Sequence, residues 1–188
     1  MQCQIPLAVE IGFFHFQLAA KLFHRAHFRS NIQLGKDQLF LRLFVAGFIG
    51  SPQMNFMNAK LVRKGDQYTV EVLGVSVPLE ADKCQKLTEK NVQTMDVTLG
   101  VRPEHTTVRF DGGENAIKGT IAVNEMMGSE LHLHVETENG NRVILRIPTI
   151  DLTPEQRKSL VSGNSLHFSF ASKVMHLFDP QTEESLLF

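Results

Sequence analysis

Two histidines stand two positions apart in Leu131-His-Leu-His-Val135. On an extended chain that spacing sends both imidazoles to one side, and His132 and His134 could supply half of the donor set of a zinc site if a neighbouring strand brought the rest. Glu136 is the one acid in line with them, and no third ligand is spaced to join. The pattern therefore reads as a solvated strand face, with Leu131, Leu133 and Val135 turned inward and the histidines outward. A second group is Arg102-Pro-Glu-His105, which puts a cation, an anion and an imidazole at one strand end. Pro103 forces the chain out of the strand there, and Arg102, Glu104 and His105 read as an ion-paired exit or as a contact for a partner or small ligand.

Other chemistry has no support in the residues. A phosphate cradle needs glycines at fixed spacing followed by Lys and a hydroxyl residue, and Gly35-Lys36 has Ser30 where the first glycine belongs. No Gly-x-Ser-x-Gly elbow occurs, and Cys3 and Cys84 have no ligand, redox or nucleophile spacing, which fits free thiols in a reducing compartment. With 19 Lys+Arg against 20 Asp+Glu, no global field draws in nucleic acid or an anionic membrane. The absence of Trp and the single Tyr68 also argue against stacking on single-stranded nucleic acid. No apolar run is long enough to span a bilayer, and the Phe-rich start lacks the basic residues that precede a signal-peptide core.

These residues must be positioned by short strands. Up to about residue 43 the chain carries Lys21, Arg25, Arg29, Lys36 and Arg42 against Glu10 and Asp37, together with six of the 14 Phe. Phe16, Ala19, Ala20, Phe23 and His27 can share one face of a helix over Phe13–Phe28. After Met54 the pattern turns to β. Asn58–Arg63, Gln67–Leu73 and Val75–Leu79 are strands hinged at Gly65-Asp66 and Gly74. A helix over Asp82–Lys90 with Asp82 as cap comes next, then strands at Val97–Arg102 and Thr106–Phe110. Further strands are expected at Ile117–Met126, Leu131–Thr137 and Arg142–Ile147. Thr153-Pro-Glu-Gln156 is a capping box that opens a short helix ending at Gly163. Leu166–Phe170 and Val174–Phe178 complete the set. So many short strands with one or two short helices make a mainly β fold, a small closed or nearly closed barrel.

Four segments are similar to a known family: Leu43-Phe-Val-Ala-Gly-Phe-Ile-Gly-Ser-Pro-Gln-Met-Asn-Phe56, Leu99-Gly-Val-Arg-Pro-Glu-His105, Gly128-Ser-Glu-Leu-His-Leu-His-Val135 and His176-Leu-Phe-Asp-Pro180. In order and spacing they resemble the C-terminal regulatory region of ATP-binding subunits of ABC importers of the maltose and multiple-sugar type. The resemblance covers Leu43 to Phe188. It implies a TOBE domain, an oligonucleotide-binding-like barrel, over 58–188, preceded by a linker at 43–57 like the end of an ABC ATPase domain. Residues 1–42 form an atypical N-terminal segment, disordered or helical, unlike such an ATPase domain.

The resemblance further implies a cytoplasmic protein at the inner face of the cell membrane, permease subunits as partners, regulatory proteins in some members, and a homodimer. Relatives of this kind use ATP and magnesium. This chain, lacking a P-loop, is expected to bind no cofactor and to be no enzyme, a truncated or frame-shifted subunit that keeps the regulatory and dimerisation part. A weak homodimer is expected to use Gly128, Ser129 and Glu130, where a turn of small residues lets backbones approach, and Phe178 and Asp179, with a core role for Phe178 as the alternative. The alternative function is a stand-alone barrel that binds a small sugar, an oxyanion or a short oligonucleotide.

Overall fold

The computed structural model describes residues 52–188. The helix expected over Phe13–Phe28, the first part of the linker and Cys3 lie outside the described residues. Ten strands follow one another: β1 Asn55–Lys64, β2 Gln67–Val72, β3 Val75–Pro78, β4 Met95–Val101, β5 Thr107–Val108, β6 Ile117–Met127, β7 Glu130–Thr137, β8 Arg142–Pro148, β9 Ser165–Ser169 and β10 His176–Phe178. Helix α1 (Ala81–Glu89) lies between β3 and β4, and α2 (Pro154–Ser159) between β8 and β9. All strand pairs are antiparallel. They make two five-stranded sheets, ordered β10-β4-β1-β2-β3 and β5-β9-β6-β7-β8.

Alternation dictates how the sheets close. Met57, Ala59 and Leu61 of β1 turn inward between exposed Phe56, Asn58 and Lys60, and Leu133, Val135, Leu145 and Val143 do the same from β7 and β8. One contiguous apolar core joins side chains of both sheets, with Leu87 of α1, Leu152 and Leu160 completing it. The fold is mainly β, barrel-like, with two short helices.

Local chemistry sets the corners. Leu73 and Gly74, both at positive φ (49° and 84°), form the two-residue turn between β2 and β3, the backbone twist a tight hairpin requires. The capping box is present: the Thr153 hydroxyl accepts from the Gln156 amide at 3.2 Å, and the Gln156 side chain accepts from the Thr153 amide at 2.9 Å. That helix ends at Leu160, three residues before Gly163. Helix α1 starts earlier than expected. Its cap is Glu80, whose carbonyl accepts from the amides of Lys83 and Cys84, and Asp82 sits inside the first turn. The strand expected over Thr106–Phe110 is only Thr107–Val108, opposite Ser169 and Phe168 of β9, with one further bond from the Arg109 amide to the His167 carbonyl at 2.7 Å before the chain turns at Asp111-Gly112.

Candidate partner-contact face

The Arg102-Pro-Glu-His105 group lies where the two sheets meet. Pro103–His105 is one turn of 3-10 helix after β4, with Pro103 buried and Glu104 and His105 exposed. The turn packs on β8. On that side the Glu104 carboxylate acts on the Arg146 guanidinium of β8, and on the other Arg102 and His105 act on His176 of β10. Burial, followed by the charges of Lys83, Arg102 and His105, pushes the His176 imidazole below its ordinary range.

Arg146 makes a two-pronged pair with Glu130, its Nε donating to Oε2 at 2.6 Å and its NH2 to Oε1 at 2.8 Å. The Arg146 hydrogen bonds hold the Glu130 carboxyl below the usual carboxylate range. Register explains the meeting: His132 of β7 stands opposite Arg146 of β8 and Glu125 of β6. His134 Nε2 lies 3.4 Å from Glu125, and Arg142 pairs with Glu136 at 2.9 Å. The outer face of β6, β7 and β8 is thus a ladder of carboxylates answered by two arginines and two imidazoles.

His132 departs from the expectation of a solvated residue. It is 8% exposed, with Nε2 buried, unpaired by any hydrogen bond and 3.7 Å from Glu130 Oε2. Alternation puts it on the outer face, as expected, but the Glu130–Arg146 pair on the same face closes over it. His134 remains half-exposed. Among the described residues no group of three or more His, Cys, Asp or Glu could hold a metal ion.

Gly128 and Ser129 form the two-residue turn between β6 and β7, and the Ser129 carbonyl accepts from the Thr149 amide at 2.8 Å and from its hydroxyl at 2.9 Å. Glu104, Gly128, Ser129, Glu130 and His132 are thereby gathered about one end of the second sheet. Phe178 is in the first sheet, at the end of β10, and Asp179 follows it. Phe178 is 4% exposed and meets the Phe56 ring edge-on at 6.1 Å between centroids, over Gly100. A Cβ on Gly100 would stand 2.7 Å from Met54 Sδ and 3.1 Å from the Phe178 ring, so the glycine of Leu99-Gly-Val-Arg is needed for this close approach. The Asp179 carboxylate accepts from the amides of Gln181 (2.7 Å) and Thr182 (3.0 Å) and closes the following turn.

Three side chains that matter here were not singled out from sequence: Arg146, Asn55 and Lys83. Pairing β7 with β8 through Asn139-Gly-Asn141 would have put Arg146 beside His132. Asn55 and Lys83 carry no such signal, because their partners are backbone groups far along the chain.

Residues 50–106 match the family model of the MalK OB fold domain, and residues 99–178 that of the TOBE domain. Residues 50–178 are an OB-fold and TOBE region. Over it the chain is similar to ABC transporter ATP-binding proteins. It is 29% identical over 147 residues to YurJ of Bacillus subtilis, covering 77% of this chain and 38% of YurJ. It is 31% identical over 145 residues to MsmX of the same organism, an oligosaccharides import ATP-binding protein, covering 75% and 36%. With YcjV of Escherichia coli K12 the identity is 30% over 142 residues, covering 75% and 36%. The chain spans little more than a third of the length of the curated relatives it matches. The molybdate-bound structure of the cytoplasmic molybdate-binding protein ModG shares the fold at 14% identity, with a TM-score of 0.52 over 67% of this chain and 96% of that one. The TOBE and OB region is the regulatory part of such subunits and is not an ATPase domain. Among the described residues no helix is long and apolar enough to cross a membrane.

Proposed function

We propose that residues 43–188 are the regulatory and dimerisation region of a carbohydrate importer's ATP-binding subunit, and that this 188-residue chain neither binds nor hydrolyses ATP by itself. The observation that carries the reading is the succession of the two domain models over 50–178, together with 31% identity over 145 residues to an oligosaccharides import ATP-binding protein. The sequence offers no backbone cradle and paired Lys to offset the desolvation of a triphosphate. Magnesium and ATP would then belong to ATPase motifs outside the matched region. The partners under this reading are permease subunits at the inner face of the membrane, regulatory proteins, and a second copy of the region. For this 188-residue stretch by itself the copies would meet through a small patch around Gly128, Ser129 and Glu130, and interfaces under about 1,000–1,200 Å² are weak.

The test is an ATP-binding and hydrolysis measurement on the purified chain, with sedimentation over a concentration series. No turnover and a monomer–dimer equilibrium in roughly the micromolar range or weaker support the reading. Measurable turnover in a contaminant-free preparation, or a strict monomer at hundreds of micromolar, would overturn it. Saturable binding of molybdate or a sugar would favour the ligand-binding barrel instead.

A further inference from the structure

Among the described residues, no strand pairs with the edge of β6 beyond its bulge. β9 pairs with β6 only at Ile117–Thr120, and the loop from Leu160 to Asn164 serves the next two residues: the Ile121 amide donates to Asn164, the Ile121 carbonyl accepts from Gly163, and the Ala122 carbonyl accepts from the Ser162 hydroxyl. The register shifts between Ile121 and Val123. From there the closing pair Met127–Glu130 of a two-residue turn fixes the alternation, so Val123, Glu125 and Met127 direct their amides and carbonyls at β7. Asn124 and Met126 direct theirs away from it, and no described residue bonds to those four backbone groups.

Three of the five side chains along this edge are apolar and exposed. Val123, Met126 and Met127 are 45%, 54% and 56% exposed, and Val161, on the loop held to Ala122 by Ser162 and to the Asn124 side chain by the Leu160 carbonyl, is 46% exposed. The charged side chain in the middle is Glu125, half-exposed, with His134 as its ion-pair partner and no Lys or Arg of the described residues within ion-pair distance. Over these five residues the edge carries one charge, Glu125, and follows a bulge, but among the described residues it has no lysine, proline or covering helix.

We propose that this edge accepts an extended segment of another protein as an added strand, with a Lys or Arg opposite Glu125 flanked at two residues on either side by apolar side chains that cover Val123 and Met127. The guest gains four main-chain hydrogen bonds from Asn124 and Met126 over a five-residue strand of about 17 Å. A second copy of this chain is the poorer guest. The antiparallel two-fold register that pairs all four outward groups sets Asn124 against Met126 and therefore Glu125 directly against Glu125 of the other copy, and like charges at that position repel. The inference stands apart from the proposed role in an importer, because it concerns one strand edge and its guest.

The probe is the peptide Thr-Val-Thr-Lys-Thr-Val-Thr with blocked ends, against a control with Glu for Lys. Binding is read by fluorescence titration, and protection of the Asn124 and Met126 amides by hydrogen exchange on the full chain. The Lys peptide is expected to bind about fivefold or more tighter than the Glu peptide, with protection appearing at those two amides, and Glu125→Lys to reverse the order. Met126→Pro removes one outward donor where a proline costs no bond to β7, and should abolish binding. Absence of binding by either peptide, equal binding of both, or binding that survives Met126→Pro while Glu125→Lys leaves the order unchanged would overturn the proposal. So would protection of the same amides in the free chain that disappears on dilution, which would make a second copy the guest.

Discussion

Asn55→Ala should weaken the domain far more than its size suggests. Asn55 is 6% exposed at the start of β1, yet its bonds run to the other sheet: Nδ2 donates to the Ile144 carbonyl and Oδ1 accepts from the Ile144 amide, both at 2.8 Å. Ile144 stands opposite His134 in the alternation that turns its backbone away from β7, toward the free edge of β8. The carboxamide thus behaves as one residue of an extra strand, satisfying donor and acceptor together. Truncation orphans both, at about 1–3 kcal/mol for each group left without a partner. Since Ile144 is only half-buried and water can reach part of the gap, the expected loss is about 2–4 kcal/mol. In urea, with a slope of roughly 1–3 kcal/mol per molar, the midpoint falls by about 1–2 M at unchanged slope. Hydrogen exchange supplies the local readout, as the Ile144 amide should lose protection while its neighbours paired to β7 keep theirs. A loss below about 0.5 kcal/mol, or an Ile144 amide still protected in the variant, would refute the reasoning.

Three further outcomes follow from other corners of the fold. Lys83→Met should cost about 1–3 kcal/mol in urea unfolding, because the buried ammonium donates to the carbonyls of Ser172 (2.6 Å), Lys173 (3.0 Å) and Met175 (2.8 Å) and ties α1 to the segment leading into β10. Leu73→Asn should raise the thermal midpoint, because asparagine tolerates the left-handed backbone at φ 49° that costs leucine about 1 kcal/mol; a lowered midpoint would mean that Leu73's packing on the core outweighs that strain. The His176 imidazole titrates below its unfolded value of 6.5, so between the two values the unfolded chain binds more protons and stability falls as pH drops below 6.5. His176→Gln should flatten that part of a stability-against-pH curve, and an unchanged slope would assign it to another group.

What could be read from the residues was what they settle within a few positions. The Thr153 capping box, the turns at Gly65 and Gly128 and the inward alternation of Leu131, Leu133 and Val135 each depend on local spacing, and each is present in the structure. The α1 cap was misplaced by two residues because Asp82 has a capping side chain, whereas the fold uses only the main-chain carbonyl of Glu80. Burial of His132 was hidden for a different reason. An alternating strand tells which face a residue is on, and whether that face is wet depends on side chains from other strands, here Glu130 and Arg146 closing over the imidazole.

The same limit applies to the contact residues. Glu104 and Glu130 are 26 positions apart in sequence, and Arg146 of β8 draws them to one place, with a hydrogen-bonded pair to Glu130 and a longer-range attraction to Glu104. Arg102 and His105, from the same turn as Glu104, act instead on His176 in the other sheet. Arg102 and the three-residue turn that follows it thus carry opposite charges toward the two sheets, with Pro103 of the turn buried. A ligand or partner that moved this turn would alter the Glu104–Arg146 attraction on one side and the repulsion on His176 on the other.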